Sequence, residues 1–196
     1  MPKVRIQLVS LLAIFALFAG CALVPSTKSQ VVLLEENISK FNNFEMSGVI
    51  SINYQQFVIR KQIHINKDAS SFSAIIVEGG IFGMQAEPFF SLEITDIGKW
   101  SFAGEIHKSP ISIQVLNSYT DLTFIRKHQK EILKDRKLIL KDTTITWNEL
   151  MQISSISKED FRGEIVYDLN GNIDKINIFR AGELASEILI DEVKYK

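Results

Sequence analysis

FEMSGVISINY (Phe44–Tyr54) and FVIRKQIHI (Phe57–Ile65) carry the clearest secondary-structure signal in this chain of 196 residues. In both segments apolar residues alternate with polar ones, at the period of two that is typical of a β-strand with one buried face. That face carries Phe44, Met46, Gly48, Ile50, Ile52, Tyr54, Phe57, Ile59, Lys61, Ile63 and Ile65. Gln55–Gln56 forms a turn between the two segments, so they predict an antiparallel hairpin.

More strands follow the same pattern along the chain. They are predicted at Phe72–Val77, Phe89–Thr95, Lys99–Phe102, Phe161–Leu169, Ile173–Arg180 and Ala185–Tyr195. Asn170–Gly171 separates two of them and favours a type I′ turn, which needs positive φ at both central residues. The short spacing between strands predicts an antiparallel meander.

An amphipathic helix is predicted before the first strand, where apolar residues recur at spacings of three and four. These residues are Val31, Val32, Leu34, Ile38, Phe41 and Phe44. Thr27 or Ser29 would cap the start of the helix, and Asn42–Asn43 would end it.

The region between Ile106 and Leu150 has a mixed pattern. A strand is predicted at Pro110–Val115 and helical structure over Tyr119–Ile132, with buried positions at Leu122, Ile125, Ile132 and Leu133. Asp142–Met151 fits either a helix capped by Asp142 or Thr143, or a short strand at Thr143–Trp147. A helical insertion between two sets of strands describes the region most simply, and the fold class is α+β.

Residues 1–20 have the pattern of a signal peptide. Lys3 and Arg5 precede a continuous apolar run at Leu11–Phe18, and two small residues, Ala19 and Gly20, follow it. The run is shorter than the roughly 20 apolar residues that a spanning helix needs. The alternative, an N-terminal core helix, is disfavoured because no polar face recurs at helical spacing.

Cys21 follows directly and is the only cysteine in the chain. A single cysteine in an exported protein has no partner for an internal disulfide, so a modification site is the simplest interpretation. Ala19–Gly20–Cys21 resembles the bacterial lipobox, which implies a lipid on the Cys21 thiol. The sequence departs from the family pattern at Phe18, a position at which the family prefers leucine. By the same resemblance, Ala22 suggests sorting to the outer membrane. Residues 21–29 are predicted to form a lipidated N-terminus and a flexible tether, because Ala22–Ser29 consists largely of small and polar residues and contains Pro25.

Composition narrows the function. Removal of residues 1–20 leaves 20 Lys and Arg against 23 Asp and Glu, a formal charge of −3, which argues against nucleic acid as a partner. Residues 30–196 suit one domain. The three histidines, His64, His107 and His128, lack a metal-site spacing, and neither a nucleophile motif nor a phosphate loop occurs. We therefore expect no enzyme activity, no metal and no cofactor.

Two groups of apolar residues are candidates for binding. The loop Gly79–Met84 places Ile81, Phe82 and Met84 between and beside glycines, where they are either exposed or folded over the core. The second group would line an apolar cavity, and it comprises Met46, Ile50, Ile52, Phe57, Ile59, Ile76 and Phe90.

From Cys21 to Tyr195, the order of elements resembles the outer-membrane lipoprotein receptors of the LolB family and, more widely, the LolA/LolB-like lipid carriers. The resemblance rests on the acylated cysteine, the tether, the helix closing on Phe41–Gly48, and the segments Phe57–Arg60, Gly79–Met84 and Tyr167–Ile173. It implies an incomplete antiparallel β-barrel, with helices covering the open side of a strongly curved sheet and an apolar cavity between them. In the receptor branch a protruding apolar loop aids delivery, and Ile81–Phe82 is the nearest candidate.

Two functions follow as expectations. The resemblance implies a protein held at the periplasmic side of the outer membrane, which binds acyl chains of lipoproteins or lipids and inserts them there. A soluble periplasmic carrier would supply the cargo. The alternative is a structural or assembly lipoprotein that grips a protein partner through its sheet; it predicts a filled core and a free sheet edge or an external groove.

Overall fold

The computed structural model describes residues 27–54, 57–78, 88–102, 104–109 and 111–196. The predicted signal peptide, Cys21, the tether up to residue 26 and the Gln55–Gln56 turn lie outside these ranges. The helices are α1 (Thr27–Lys40), α2 (Ile113–Ser118) and α3 (Leu122–Asp135). The first six strands are β1 (Phe44–Tyr54), β2 (Phe57–Lys67), β3 (Phe72–Val77), β4 (Pro88–Ile94), β5 (Gly98–Phe102) and β6 (Glu105–Ser109). The last six are β7 (Lys137–Leu140), β8 (Thr143–Trp147), β9 (Ile153–Lys158), β10 (Phe161–Tyr167), β11 (Ile173–Arg180) and β12 (Glu183–Tyr195).

All twelve strands form one antiparallel sheet in the order β6-β5-β4-β3-β2-β1-β12-β11-β10-β9-β8-β7. Strand β1 lies at the centre, between β2 and β12. Two meanders of six strands therefore run outward from the centre, and α2 and α3 connect the outer strands β6 and β7. The sheet is curved and is not closed. The prediction of an unclosed antiparallel sheet accompanied by helices is confirmed.

The strand register assembles one continuous apolar face. Met46 lies opposite Ile65 and Val193, and Ile50 lies opposite Lys61 and Ile188. The same face continues through Ile63, Ala74, Ile76, Phe90, Leu92, Trp100 and Phe102 on one side of β1, and through Ile176, Ile165, Gly163, Ile156, Ile145 and Leu138 on the other. We call this the apolar face. The alternation within Phe44–Ile65 predicted its two central strands correctly.

The helices contact one end of the strands, which we call the helix end. Asn37 of α1 donates a hydrogen bond to the Leu150 carbonyl (2.8 Å) in the β8–β9 turn. The backbone N–H of Ile113, which begins α2, donates to the carbonyl of Thr95 (2.7 Å) just after β4. Asn42 donates to the carbonyl of Thr120 before α3 (3.3 Å). The opposite end, where β5 turns into β6, β9 into β10 and β11 into β12, is called the hairpin end.

Buried apolar residues form two clusters. The first joins the helices to the β7–β9 part of the sheet, and its fully buried members include Leu34, Ile38, Ile125 and Ile132. The second lies on the apolar face itself, and it comprises Phe44, Met46, Ile50, Ile63, Ile65, Ile76, Ile173 and Ile188. Helical packing therefore stabilises mainly one half of the sheet, while the other half packs strand against strand.

Local capping explains the bounds of α3. The Asp121 carboxylate accepts a hydrogen bond from the backbone N–H of Phe124 (2.9 Å), which satisfies a free donor in the first turn. Arg136 ends the helix in the left-handed conformation (φ 48°). Arg126 binds Glu35 of α1 at 2.7 Å, and this ion pair lowers the pKa of Glu35. The predicted burial of Ile125 and Ile132 is confirmed.

The central region contains more strands than the sequence predicts. Strands β6, β7 and β9 are additional, and the choice at Asp142–Met151 is settled as the strand Thr143–Trp147. The predicted strand at Pro110–Val115 is wrong, because the helix α2 begins at Ile113. Ile113 is buried and its N–H is bound by Thr95 at the helix end, so the chain turns here instead of pairing with a strand.

The predicted type I′ turn at Asn170–Gly171 is also wrong. Gly171 has φ +79°, but Asn170 is not among the residues with positive φ. Asp168 reshapes the turn, since its carboxylate accepts hydrogen bonds from the backbone N–H groups of Asn170 (2.9 Å) and Asn172 (2.8 Å). Two consecutive positive φ angles occur instead at Ala181 (51°) and Gly182 (87°), between β11 and β12.

The turn between β2 and β3 is organised by Asp68. Its Oδ1 accepts hydrogen bonds from the hydroxyl and the backbone N–H of Ser70 (2.8 and 2.7 Å) and from the N–H of Ser71 (2.8 Å). These bonds, that of the Ser70 hydroxyl first, lower the pKa of Asp68 from 3.8 to about 2.

We expect Asp68 to contribute a pH-dependent part of the stability. Because its folded pKa lies below the unfolded value, this contribution is present above pH 3.8 and is lost as the pH falls towards about 2. As the pH falls from 3.8 to about 2, the free energy of unfolding of Asp68→Asn should therefore decrease less than that of the wild type. Urea midpoints across the window, with an NMR titration of the Asp68 carboxyl, measure the effect. An NMR titration midpoint near pH 3.8 for Asp68 in the folded protein would contradict the prediction.

Candidate functional site

The apolar face changes from buried to exposed along the strands. Towards the helix end its members are buried, as at Ile50 (6% exposed) and Ile63 (4%). Towards the hairpin end they are open, as at Phe57 (70%) and Phe161 (49%). Large apolar side chains on a soluble surface mark an interaction site when they are contiguous. The exposed half of the apolar face is therefore the candidate site.

The seven predicted cavity residues all belong to β1–β4. Met46, Ile50 and Ile76 are buried members of the second cluster, and Ile52 and Phe90 are partly buried beside it. Phe57 and Ile59 lie on the same face but nearer the hairpin end, where they are exposed. The structure thus brings five residues into one cluster and places the other two in the exposed half of the face.

Aromatic rings concentrate where β4, β5 and β6 meet this half. A register shift in β4 accompanies Phe89, whose ring lies 5.0 Å from that of Phe102 in an edge-on arrangement. Trp100 stacks on His107 with the ring centroids 4.2 Å apart. Such rings offer a wide apolar surface with few rotatable bonds.

Arginines accompany the aromatic rings on the far side of the site. The guanidinium of Arg180 lies 5.6 Å from the centroid of the Phe161 ring on the apolar face, whereas that of Arg162 lies 4.6 Å from the Phe179 ring on the opposite face of the sheet. Arg180 also pairs with Asp160 at 3.7 Å. The hairpin end therefore combines an apolar ring with a paired charge on this side of the site.

Sequence reasoning missed Phe102, Ile156 and Phe161 as members of the site. Phe161, Gly163, Ile165 and Tyr167 do alternate in the sequence, so the signal for β10 was present. What was missing was the strand β9, which the sequence analysis did not predict, and with it the register that places Gly163 opposite Ile156 and Ile178.

The predicted apolar loop residues, Ile81, Phe82 and Met84, lie outside the described residues. The strands that flank this loop are described, and Val77 of β3 and Pro88 of β4 pair with each other at the hairpin end. The loop therefore connects two strands at the same end of the sheet as the exposed apolar residues.

A polar pocket lies at the helix end. It has a volume of about 360 Å³ and is lined by Asn42, Lys67, Asn117, Thr120 and Asp121, among others. Lys67 is buried and donates a hydrogen bond to the side-chain oxygen of Asn117 (2.8 Å). Burial lowers the pKa of Lys67, and the nearby Asp68 opposes this shift. A second groove, of about 410 Å³, lies largely on the polar face of the sheet beside Glu45, Ser47 and His64.

Neither metal binding nor membrane spanning is visible in the part of the chain that the structure describes. Within these ranges, no three His, Cys, Asp or Glu side chains are grouped so that they could hold a metal ion. No described helix has both the length and the apolar character needed to cross a bilayer. The chemical capacity of the exposed apolar surface is to bind hydrocarbon or apolar side chains.

Comparison with known proteins adds no assignment. The chain matches no protein-family model and no curated protein.

Proposed function

We propose that this protein is a lipid-anchored periplasmic protein that binds acyl chains and helps to receive and insert lipoproteins or lipids at the outer membrane. The observation that carries the proposal is the open apolar face, which stays exposed over its hairpin-end half. An apolar cavity between sheet and helices and coverage of the open side by helices belong to the same proposal.

Physical chemistry supports this assignment. Exposing an acyl chain to water costs about 0.8 kcal/mol of free energy for each CH₂ group. A transfer protein must therefore offer an apolar surface that covers the chain. Ile59, Phe102 and Phe161 provide such surface on an unclosed sheet. Hand-over of an acyl chain requires no covalent step, which agrees with the lack of nucleophile motifs in the sequence.

The role of Cys21 completes the proposal. A lipid on Cys21 would hold the domain at the membrane while the tether gives it reach. Membrane attachment through one acyl chain is reversible, whereas several acyl chains anchor a protein stably.

We expect Ile59→Asp to weaken binding of a fluorescent acylated peptide by at least about tenfold, because a carboxylate would then lie on the apolar face. Val58→Asp is the matched control, since Val58 is also exposed but faces the other side of the same strand. Circular dichroism should show the same fold for both variants. Equal binding by the two variants, or no binding by the wild type, would overturn the proposal.

One feature favours the alternative function. Among the described strands, the edge strand β6 pairs only with β5, and its Ile106 (74% exposed) lies on the sheet face opposite the apolar face. A free edge accepts a partner strand through main-chain hydrogen bonds. A structural lipoprotein that binds a protein partner at β6 is therefore the second candidate. A stable complex recovered after mild detergent extraction, lost on Ile106→Lys, would support it.

A further inference from the structure

Lys61 is a charged residue in the middle of the apolar face, at the border between its buried and exposed halves. The register places it opposite Ile50, and Ile59 and Ile63 flank it on the same side of β2. Its side chain is only 19% exposed. An ammonium group among aliphatic neighbours loses hydration, which disfavours the position unless a partner compensates.

The partner present is Glu78, which follows β3 on the same face. Lys61 Nζ lies 2.6 Å from Glu78 Oε1, and 5.6 Å from the centroid of the Phe89 ring. The Glu78 side chain is 64% exposed, so the carboxylate remains mostly in water. An ion pair with so exposed a partner contributes little stability, and the carboxylate is readily replaced.

We propose that Lys61 receives the anionic head group of an amphiphile in exchange for Glu78. This inference rests on the proposed function, and it narrows the ligand from any acyl chain to one that carries a carboxylate or phosphate. The anion of the ligand takes the place of the Glu78 carboxylate beside Lys61 Nζ. Glu78 then turns into the solvent that already surrounds it.

The exposure pattern sets the direction of the bound chain. On the helix-end side of Lys61 the apolar face is filled, with Ile63 and Ile65 buried. On the other side, Ile59 and Phe57 are open. The strand from Lys61 to Phe57 spans about 13 Å. A ligand with its head group at Lys61 therefore extends its hydrocarbon along the open half towards the hairpin end, so that the chain, not the head group, leads out of the protein.

The test measures head-group preference. Palmitate, hexadecyl phosphate and hexadecanol share one chain length and are compared as displacers of a neutral fluorescent apolar probe from the full chain. We expect at least one anionic ligand to bind about tenfold more tightly than hexadecanol, because a charge-assisted hydrogen bond forms. Lys61→Met should abolish this preference. Glu78→Gln should increase the preference, because the competing carboxylate is gone.

Arg60→Met is the matched control, since Arg60 lies next to Lys61 but on the other face of β2. It should keep the preference. If palmitate binds more tightly than hexadecyl phosphate, the preferred head group is a carboxylate. If hexadecyl phosphate binds more tightly, the preferred head group is a phosphate. Equal binding of all three ligands by the wild type, or a preference that survives Lys61→Met, would show the inference to be wrong while acyl binding stands. If no ligand displaces the probe, the proposed function itself fails.

Discussion

Gly48→Ala is expected to lower the free energy of unfolding by more than about 3 kcal/mol. A Cβ atom at Gly48 would lie 2.0 Å from the carbonyl oxygen of Leu189 and 3.1 Å from the Cα of Ile190. Both are backbone atoms of β12, so no side-chain rotation relieves the clash. The β1–β12 register shifts at this point, between Ser47 and Gly48. Because β1 joins the two meanders, a displaced β12 would weaken contact between both halves of the sheet.

Gly163→Ala provides the matched control for this prediction. Gly163 is also a strand glycine on the apolar face, but a Cβ atom there would meet its nearest neighbour, the Ile156 carbonyl oxygen, at 3.9 Å. Alanine should be neutral or raise the free energy of unfolding by up to about 1 kcal/mol, because glycine loses more backbone freedom in a strand. Urea unfolding followed by circular dichroism measures both variants. Similar losses for the two would show that close approach of β12 is not the cause.

Local patterns were sufficient to predict the central strands and the helices α1 and α3. The alternation in Phe44–Ile65 predicts one apolar face, and the structure has that face along both β1 and β2, buried towards the helix end and exposed towards the hairpin end. The spacing of Leu34 and Ile38, and of Ile125 and Ile132, reflects burial of one side of α1 and α3. In these elements the local preference and the tertiary packing agree, so the sequence alone predicts them.

Other elements depend on partners far away in the chain. Strand β6, Glu105–Ser109, has little apolar character, and its strand conformation comes from pairing with β5. Strand β7 has four residues, which is too short for a period to be recognised. The requirement for glycine at position 48 comes from Leu189 of β12. The sequence pattern places Gly48 on the apolar face but contains no trace of this contact.

The candidate site was predictable to the same extent. The face to which Met46, Ile50 and Ile76 belong follows from alternation, and the structure places them in one cluster. The border between the buried and exposed halves does not follow from alternation, because the alternation is the same in the buried and in the exposed part of β2. Phe57 and Phe161 join one surface only through the pairing of β1 with β12, two strands that lie more than a hundred residues apart in the chain.

Cys21→Ser is expected to move the protein from the membrane fraction to the soluble fraction almost completely. The serine hydroxyl cannot form the thioether through which a lipid would be attached. Each lost acyl chain would have contributed about 0.8 kcal/mol per buried CH₂ to the free energy of membrane binding. Contacts between the protein surface and the membrane are expected to be too weak to replace this contribution. The Cys21→Ser variant is exported as residues 21–196 behind a leader that is cleaved without lipidation, whereas the wild type and its control keep residues 1–20. Mass spectrometry of the N-terminal peptide identifies the modification in each protein.

The same experiment separates anchoring from folding. The first described helix begins at Thr27, and its buried residues Leu34 and Ile38 lie well beyond Cys21. The Cys21→Ser variant should therefore retain the far-ultraviolet spectrum and the urea midpoint of the lipidated protein. Ser26→Ala, a change of similar size in the same tether, should stay in the membrane fraction. If Cys21→Ser remained with the membrane, contact through the exposed apolar face would be the stronger attachment. If the variant failed to fold, residues before α1 would be required for folding, and the interpretation of residues 21–26 as a tether would be wrong.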